Sequence, residues 1–260
     1  MPSSGRVGDA MKKVFCLFCL ASLLALGWGG GACAADAAAE KKIRVLLTFG
    51  GHGFEEQLFF AIFDALPGVT YTKAVMPKDA GLLKPGLEKD YDVIVMYDMS
   101  PTIKPEEQKA FVELLKTGIG VVSLHHNLGA QADWDEYRKI IGGKFILKDC
   151  EIDGQKYGKS GWREGQEHNI TVVDKEHPIT KGLQDFKIHD ETYCKCYVAP
   201  NVKVLLKTDN PTNNPEIAWV NEYGKSRVFY CQFGHDHFAW DNPNFKQILS
   251  NGIKWACAKE

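Results

Sequence analysis

Tyr91-Asp92-Val93-Ile94-Val95-Met96-Tyr97-Asp98 is a continuous apolar run of the kind found in a strand buried on both faces of a parallel sheet. A helix start follows at Thr102 to Glu106, with Pro105 near the first helical position and Phe111, Leu114 and Leu115 as its inner stripe. The next apolar run, Gly120-Val121-Val122-Ser123-Leu124, is a second strand, and a helix around Trp134 to Ile141 closes on Gly142-Gly143. Upstream, Ile43 to Phe49 is a strand and Glu55 to Leu66 a helix stopped by Pro67-Gly68. Val69 to Val75 alternates and is rich in β-branched residues, so it is a fourth strand. This rhythm predicts an α/β fold with a doubly wound, mostly parallel sheet flanked by helices. After residue 143 the rhythm changes to a strand- and loop-rich insertion, with clear strands at Ile170 to Val173 and Val202 to Leu206. Strands at 216–220 and 226–233 flank a hairpin turn at 221–225, and a helix from about Asn244 to Ala256 ends the chain.

The first 34 residues do not belong to that fold. Lys12-Lys13, an apolar run from Val14 to Trp28 and a small-residue stretch ending Ala32-Cys33-Ala34 have the layout of a secretory signal peptide. The apolar run is shorter than the roughly 20 residues that cross a bilayer, so no transmembrane span is expected once it is removed. Export to a periplasm or secretion is the expectation. Lipid anchoring through Cys33 is disfavoured, because Gly30 stands where a lipobox usually carries leucine. Residues 35–42 are an alanine- and charge-rich leader expected to be mobile, and 43–260 form the domain. A net charge of -2 with no basic block argues against nucleic acid as a partner. Self-association is left open.

Cys150, Cys194, Cys196, Cys231 and Cys257 remain in the exported chain, an odd number. Cys231 and Cys257 are expected as packed thiols, while a bridge from Cys150 to Cys194 or Cys196 is left open.

Five of the eight histidines sit at or just past the ends of hydrophobic strands: His52, His125, His126, His235 and His237. Parallel sheets place their ligands outside these strand ends. Imidazole suits both proton transfer near neutral pH and transition-metal binding. The turn Leu124-His125-His126-Asn127 occupies the place of a nucleophile elbow but carries no Ser or Cys, which disfavours acyl-enzyme chemistry there. Neighbouring residues of a strand point to opposite faces, so one of His125 and His126 is expected to face the cleft and the other the core. The loop Gly50-Gly51-His52-Gly53-Phe54-Glu55-Glu56 combines glycines for close backbone approach with a histidine and two carboxylates, of which one is expected merely to complement a helix dipole. Gly51, His52 and Glu56 are its substrate-binding candidates. His235 and His237 could face one pocket if the segment is extended. Ile188-His189-Asp190-Glu191-Thr192-Tyr193 is a dense polar group beside a strand. Trp162 and Tyr193 are candidates to stack on sugar rings. His177-Pro178 is a structural turn, and His168 is a candidate on a flexible insertion.

Taken together, GGHGFEEQ, GVVSLHHNLGA, HPITKGL with FKIHDETY, and PEIAWVNEYGKSRVFYCQFGHDHFAWDNPNFKQILSNGIKWA resemble the ThuA-like (trehalose-utilisation) family, across essentially the whole mature chain. The resemblance implies a fold like that of class I glutamine amidotransferases and a link to carbohydrate utilisation, notably trehalose and 3-keto sugars. It puts weight on His125, on Asp190 and Glu191, on His235 and on His52. His126 and His237 depart from the family pattern.

Three readings follow. In the first, an exported enzyme acts on a sugar or 3-keto sugar. His125, Glu191 and Asp190 are then catalytic, Gly51, His52, Glu56, His126, Asn127, Trp162, Tyr193 and His237 bind substrate, and His52, His125 and His235 are the metal-ligand candidates. Zinc or another divalent transition metal is the expected cofactor if one is bound, and no nucleotide cofactor is expected. In the second, a non-catalytic module only recognises carbohydrate. In the third, ranked last, the protein hydrolyses glycosidic or amide bonds; the elbow without cysteine argues against glutaminase activity.

Overall fold

A computed structural model describes residues 41–258. The signal-peptide reading and all but the last two residues of the leader lie outside them. The elements run β1 (Ile43–Gly50), α1 (Glu56–Ala65), β2 (Val69–Val75), β3 (Val93–Asp98), α2 (Pro105–Leu115), β4 (Gly120–Leu124) and α3 (Asp135–Ile141). Then come β5 (Gly143–Lys144), β6 (Cys150–Ile152), β7 (Gln155–Tyr157), β8 (Gly161–Val172), β9 (Phe186–Cys194) and β10 (Tyr197–Val198). β11 (Lys203–Thr208), β12 (Glu216–Tyr223), β13 (Ser226–Cys231), α4 (His237–Trp240) and α5 (Pro243–Cys257) complete the chain.

Among the described residues the central sheet has nine strands in the order β2-β1-β3-β4-β13-β12-β11-β8-β9. From β2 to β13 every pairing is parallel; from β13 through β12, β11 and β8 to β9 every pairing is antiparallel. The sheet is therefore mixed rather than mostly parallel. The stretch after residue 143 is not simply an insertion, because β8, β9, β11 and β12 extend the central sheet. The cause is the tight β12–β13 hairpin, which reverses the chain beside the last parallel strand, so the strands beyond it pair antiparallel.

The buried strands supply both faces, as their unbroken apolar runs require. Val45, Leu47, Val93, Val95, Val122 and Phe229 pack on one side with Phe59 and Phe63 of α1 and Phe245 and Ile248 of α5. Leu46, Ile94, Met96, Val121, Val228 and Tyr230 pack on the other with Phe111 and Leu114 of α2 and Ile140 of α3. Each fully buried side chain of this size stabilises the fold by about 1.5–3 kcal/mol relative to exposure. Gly120 lets β4 pass against the backbone of Ala256 in α5, where a Cβ would collide with the carbonyl. Helix starts are capped locally. The Lys104 N–H donates to Glu107 Oε2 (2.9 Å) ahead of Pro105, and Asn242 accepts from the Asn244 N–H (2.9 Å) ahead of Pro243.

Cys150, Cys194, Cys196, Cys231 and Cys257 are all free thiols, so the Cys150 bridge does not form. Cys231 is buried, while Cys257 is only half-buried. No helix of the described residues is long and apolar enough to cross a membrane.

Candidate functional site

β4 ends at Leu124 and the chain turns at once into a short 3-10 turn, His125–Gly129. His125 takes a left-handed conformation (φ 49°), uncommon for a residue with a Cβ, and its carbonyl accepts a hydrogen bond from the Tyr230 hydroxyl (3.1 Å). This elbow corrects the expectation that one histidine faces the cleft and the other the core. Strand alternation stops before His125, and both rings line a single cavity of about 240 Å³.

Three imidazoles in this cavity are each tied to a backbone carbonyl through one ring nitrogen. His125 Nδ1 donates to Gln232 O (2.7 Å), His126 Nε2 to Tyr97 O (2.8 Å) and His52 Nδ1 to Gly53 O (2.8 Å). A carbonyl can only accept, so the hydrogen-bond network assigns the proton to the tied nitrogen. The other nitrogen of each neutral ring is then an unprotonated base. His52 and His126 stack, with ring centroids 4.8 Å apart. Burial, then the neighbouring His125, push the His126 pKa well below the usual histidine value, so this ring is neutral at pH 7.

His125 Nε2 lies 3.2 Å from Glu191 Oε2 and 3.2 Å from His235 Nδ1, and His235 Nδ1 is 3.6 Å from the same carboxylate oxygen. The Tyr193 hydroxyl stands 3.0 Å from His125 Nε2. With Nδ1 protonated, the Nε2 lone pair faces a carboxylate, an arrangement that favours a proton or a cation between them. Burial disfavours a charged His125, but the Glu191 hydrogen bond, the Asp190 and Glu191 charges and the Gln232 carbonyl outweigh it and raise its pKa. Burial acts on Glu191 in the opposite sense, and His125 and His235 overcome it to lower that pKa.

The supporting network comes from both halves of the sheet. Asp190 is buried and accepts the N–H groups of Gly234 (2.8 Å), His235 (3.1 Å) and Glu191 (2.8 Å). It therefore positions the His235 loop and does not itself enter the cavity. Gln232, overlooked in the sequence, presents its carbonyl to His125 while its amide N–H donates to Glu191 O (3.1 Å) and to Asn213 Oδ1 (2.8 Å). Nothing in the local pattern separates Gln232 from any other strand-end polar residue; its signal lies only in its place between two site segments.

Of the remaining candidates, Trp162 and Tyr193 line the cavity. His52 lines it too, but lies outside the cluster of possible metal ligands, which comprises His125, Glu191 and His235. Its ring is held over His126 instead, and Glu191 takes the third ligand place. Asn127 is buried beneath the elbow, donating to Asp98 O (2.8 Å) and accepting from Ser123 (2.7 Å) and Tyr137 (2.8 Å), so it holds the turn rather than lining the cleft. Gly51 is a close-approach position (φ 74°) against the Met99 backbone, where a Cβ would collide. Glu56 is exposed in the first turn of α1, outside the cavity. His237 is half-buried and paired with Glu55 (2.9 Å), also outside it, because Asp236 caps α4 and ends the extended segment. His168 is not on a flexible insertion. It is fully buried in β8. His189 pairs with Glu167 (2.7 Å) away from the cavity, and His177 sits in the expected turn, accepting from the Ile179 N–H (3.3 Å).

A mixed α/β sheet whose central elbow carries histidine, facing a Glu and a second histidine across the strand ends, defines the class: an elbow-histidine α/β protein. The family model described as ThuA, trehalose utilisation, matches residues 68–256, and the chain belongs to that family. A ThuA-like protein of Parabacteroides merdae has a similar structure, with TM-score 0.71 and 20% identity over 84% of this chain and 91% of that one. A cytoplasmic protein of Salmonella typhimurium LT2 is similar at TM-score 0.55 and 13% identity, over 82% of this chain and 99% of that one. A β-galactosidase of Bacillus circulans sp. alkalophilus is similar at TM-score 0.51 and 11% identity, over 82% of this chain and 31% of that one. At these identities the likeness concerns the fold. No curated protein matches the chain.

Proposed function

We propose that this protein acts, after export, on a carbohydrate carrying a ketone, a 3-keto sugar or its glycoside, with the His125–Glu191–His235 cluster as its reactive centre. The observation that carries the reading is the spacing of the three donor atoms, 3.2, 3.2 and 3.6 Å, at the wall of a cavity. Ligands bonded to a tetrahedral cation at ~2.0–2.1 Å lie about 3.3 Å from one another. Right-angled ligands of an octahedral site would lie about 2.9 Å apart at the same bond length. The donor set, two imidazoles and a carboxylate, suits zinc, and the Gln232 carbonyl on His125 Nδ1 is the outer-shell partner such a ligand needs. His125 Nε2, His235 Nδ1 and Glu191 would hold the ion.

When bound, the cation supplies a Lewis acid that polarises a substrate carbonyl. The chain supplies the rest. His126 is neutral with Nδ1 unprotonated, and takes the proton from the carbon beside the carbonyl while the C–H electron pair moves into the enolate. Returning that proton to the opposite face of the same carbon gives epimerisation; alternatively the enolate expels the oxygen on the carbon beyond, the carbonyl re-forming as that C–O bond breaks and the leaving oxygen taking the proton, which gives elimination. The Tyr193 hydroxyl, 3.0 Å from His125 Nε2, donates to a substrate oxygen beside the cluster, and His52 stacks on His126 and fixes its ring.

The test combines elemental analysis of protein purified without a metal-affinity tag with turnover of disaccharides and their 3-keto forms by wild type and His125→Ala. The expected result is about one transition-metal ion per chain, and turnover that the substitution abolishes. Absence of zinc or any other transition metal removes the metal from the proposal. Turnover unchanged in His125→Ala removes the cluster. Tight sugar binding without turnover makes the protein a recognition module. Localisation of the native chain against one lacking residues 1–34 tests export.

A further inference from the structure

The β8–β9 pairing contains an irregularity directly at the reactive cluster. Arg163 pairs with Thr192 and Gln166 with Asp190, so Glu164 and Gly165 together stand opposite the single residue Glu191. Gly165 supplies the left-handed residue of this bulge (φ 65°), and the Gln166 side chain donates to Glu164 O (2.9 Å), pinning it. Bulges re-aim side chains and gather beside functional sites. This one sends a second carboxylate, Glu164, to the wall of the cavity that holds Glu191.

Trp162, two residues earlier in the same strand, lines that cavity as well and is 57% exposed, whereas His125 is 1% exposed. Lys159 also lines it. Among the described residues, the Glu164 carboxylate, the Trp162 indole N–H and the Lys159 ammonium bond to no other protein group. Ser160 differs, since its hydroxyl is committed to Lys195 O (2.9 Å) and to the Ile146 N–H (2.8 Å). Met99, Phe145 and Leu147 add apolar lining to the same cavity. The cavity therefore has an inner end built of imidazoles and a rim with an aromatic face flanked by an unpaired acceptor and an unpaired cation.

We infer that this rim is a second sugar subsite, in which Trp162, Glu164 and Lys159 hold the outer ring of a two-ring substrate. The inner ring reacts at the His125–Glu191–His235 cluster. The outer ring lays its C–H face on Trp162 while its hydroxyls donate to Glu164 and accept from Lys159. An aromatic face with a carboxylate and an ammonium beside it matches a hydroxylated ring, which has an apolar face and a polar edge. The inference rests on the proposed function, because it needs a sugar in the cavity.

Equilibrium affinities separate the two. The probes are disaccharides, their 3-keto forms and the component monosaccharides, titrated calorimetrically into wild type, Trp162→Ala, Trp162→Phe and Glu164→Gln. Wild type is expected to bind at least one disaccharide about tenfold or more tightly than its own monosaccharide, the equivalent of one aromatic stack or one charged hydrogen bond. Trp162→Ala and Glu164→Gln each collapse that ratio towards one, and Trp162→Phe retains most of it. Both positions sit at the cavity rim, and circular dichroism checks that the variants fold. Equal wild-type affinities for mono- and disaccharides, or variants that weaken both sugars alike, overturn the second subsite and leave the proposed function standing. Failure of wild type to bind any of these sugars takes down both.

Discussion

The two halves of the sheet build the site in different ways. The parallel half, β2-β1-β3-β4-β13, delivers its side chains from strand ends: His52 after β1, His125 and His126 after β4, His235 after β13. The antiparallel half delivers them from the bodies of strands, Glu191 and Tyr193 in β9 and Trp162 and Glu164 in β8. A strand end is a place that topology alone marks as a cleft. A residue within a strand reaches the cleft only if register and bulges aim it there. The first half contributes imidazoles, three of them with one ring nitrogen tied to a backbone carbonyl; the second contributes the carboxylates and the rim.

The sharpest way to break this comparison is to remove one cluster member from each half. His125→Ala and Glu191→Ala are each expected to lower turnover by about 10²–10⁴-fold, the range for a positioned acid–base or ligand group. The double variant is expected to be no worse than the poorer single, because groups that act as a unit are not additive. Metal content measured on the same three proteins should fall together. Additive losses would show that the halves act independently, and the cluster would not be one centre.

A smaller effect tests the joint between the halves. Gln232 follows β13 in the parallel half, yet its side chain holds Glu191 and Asn213 in the antiparallel half. Gln232→Leu keeps the carbonyl that receives the His125 proton and deletes only the amide. A loss of roughly 10–100-fold in turnover or metal affinity is expected, the usual cost of an outer-shell partner. Leaving the buried Asn213 amide underserved should also cost about 1–3 kcal/mol of stability in denaturant unfolding. Unchanged metal affinity with lost stability would reduce Gln232 to a structural residue.

How much of this was legible in the sequence follows the same division. The parallel half was open to reading because 3.6 and unbroken apolar patterns identify its helices and buried strands, and their ends then point at His52, His125 and His235. Two local rules misled. Strand alternation does not extend to His125 and His126, where a 3-10 turn replaces the strand. An extended reading was carried through His237, although Asp236 is a helix cap there. In the antiparallel half, Glu191 stands out in a dense polar group beside a strand, and the family resemblance adds weight to it. Glu164 had no local signal, because a bulge is defined by a partner strand far away in sequence. Gln232 and the Asp190 cradle are likewise properties of contact across the sheet.

The smallest effect compares two buried histidines, one on each side of the divide. His126, after β4, spends one nitrogen on the Tyr97 carbonyl and opens the other towards the cavity. His168, in β8, is fully buried against Phe233, and neither of its ring nitrogens has a hydrogen-bond partner. Burial pushes its pKa down to about 4. As pH falls below the ordinary histidine value of about 6.5, the unfolded chain takes up a proton that the folded ring refuses until about pH 4. Native stability is therefore lost across that window, by up to about 3 kcal/mol from this residue. His168→Phe removes both the unpartnered polar atoms and the proton uptake. It is expected to stabilise the protein by about 1 kcal/mol at pH 7.5 and by more at pH 5, with a flatter acid limb in denaturant midpoints. His126→Phe should instead destabilise, since it strands the Tyr97 carbonyl, and it should abolish the proposed proton transfer. If His168→Phe destabilises at both pH values, the ring makes a polar contact that the native fold depends on, and the division between a functional and a merely packed histidine fails at this residue.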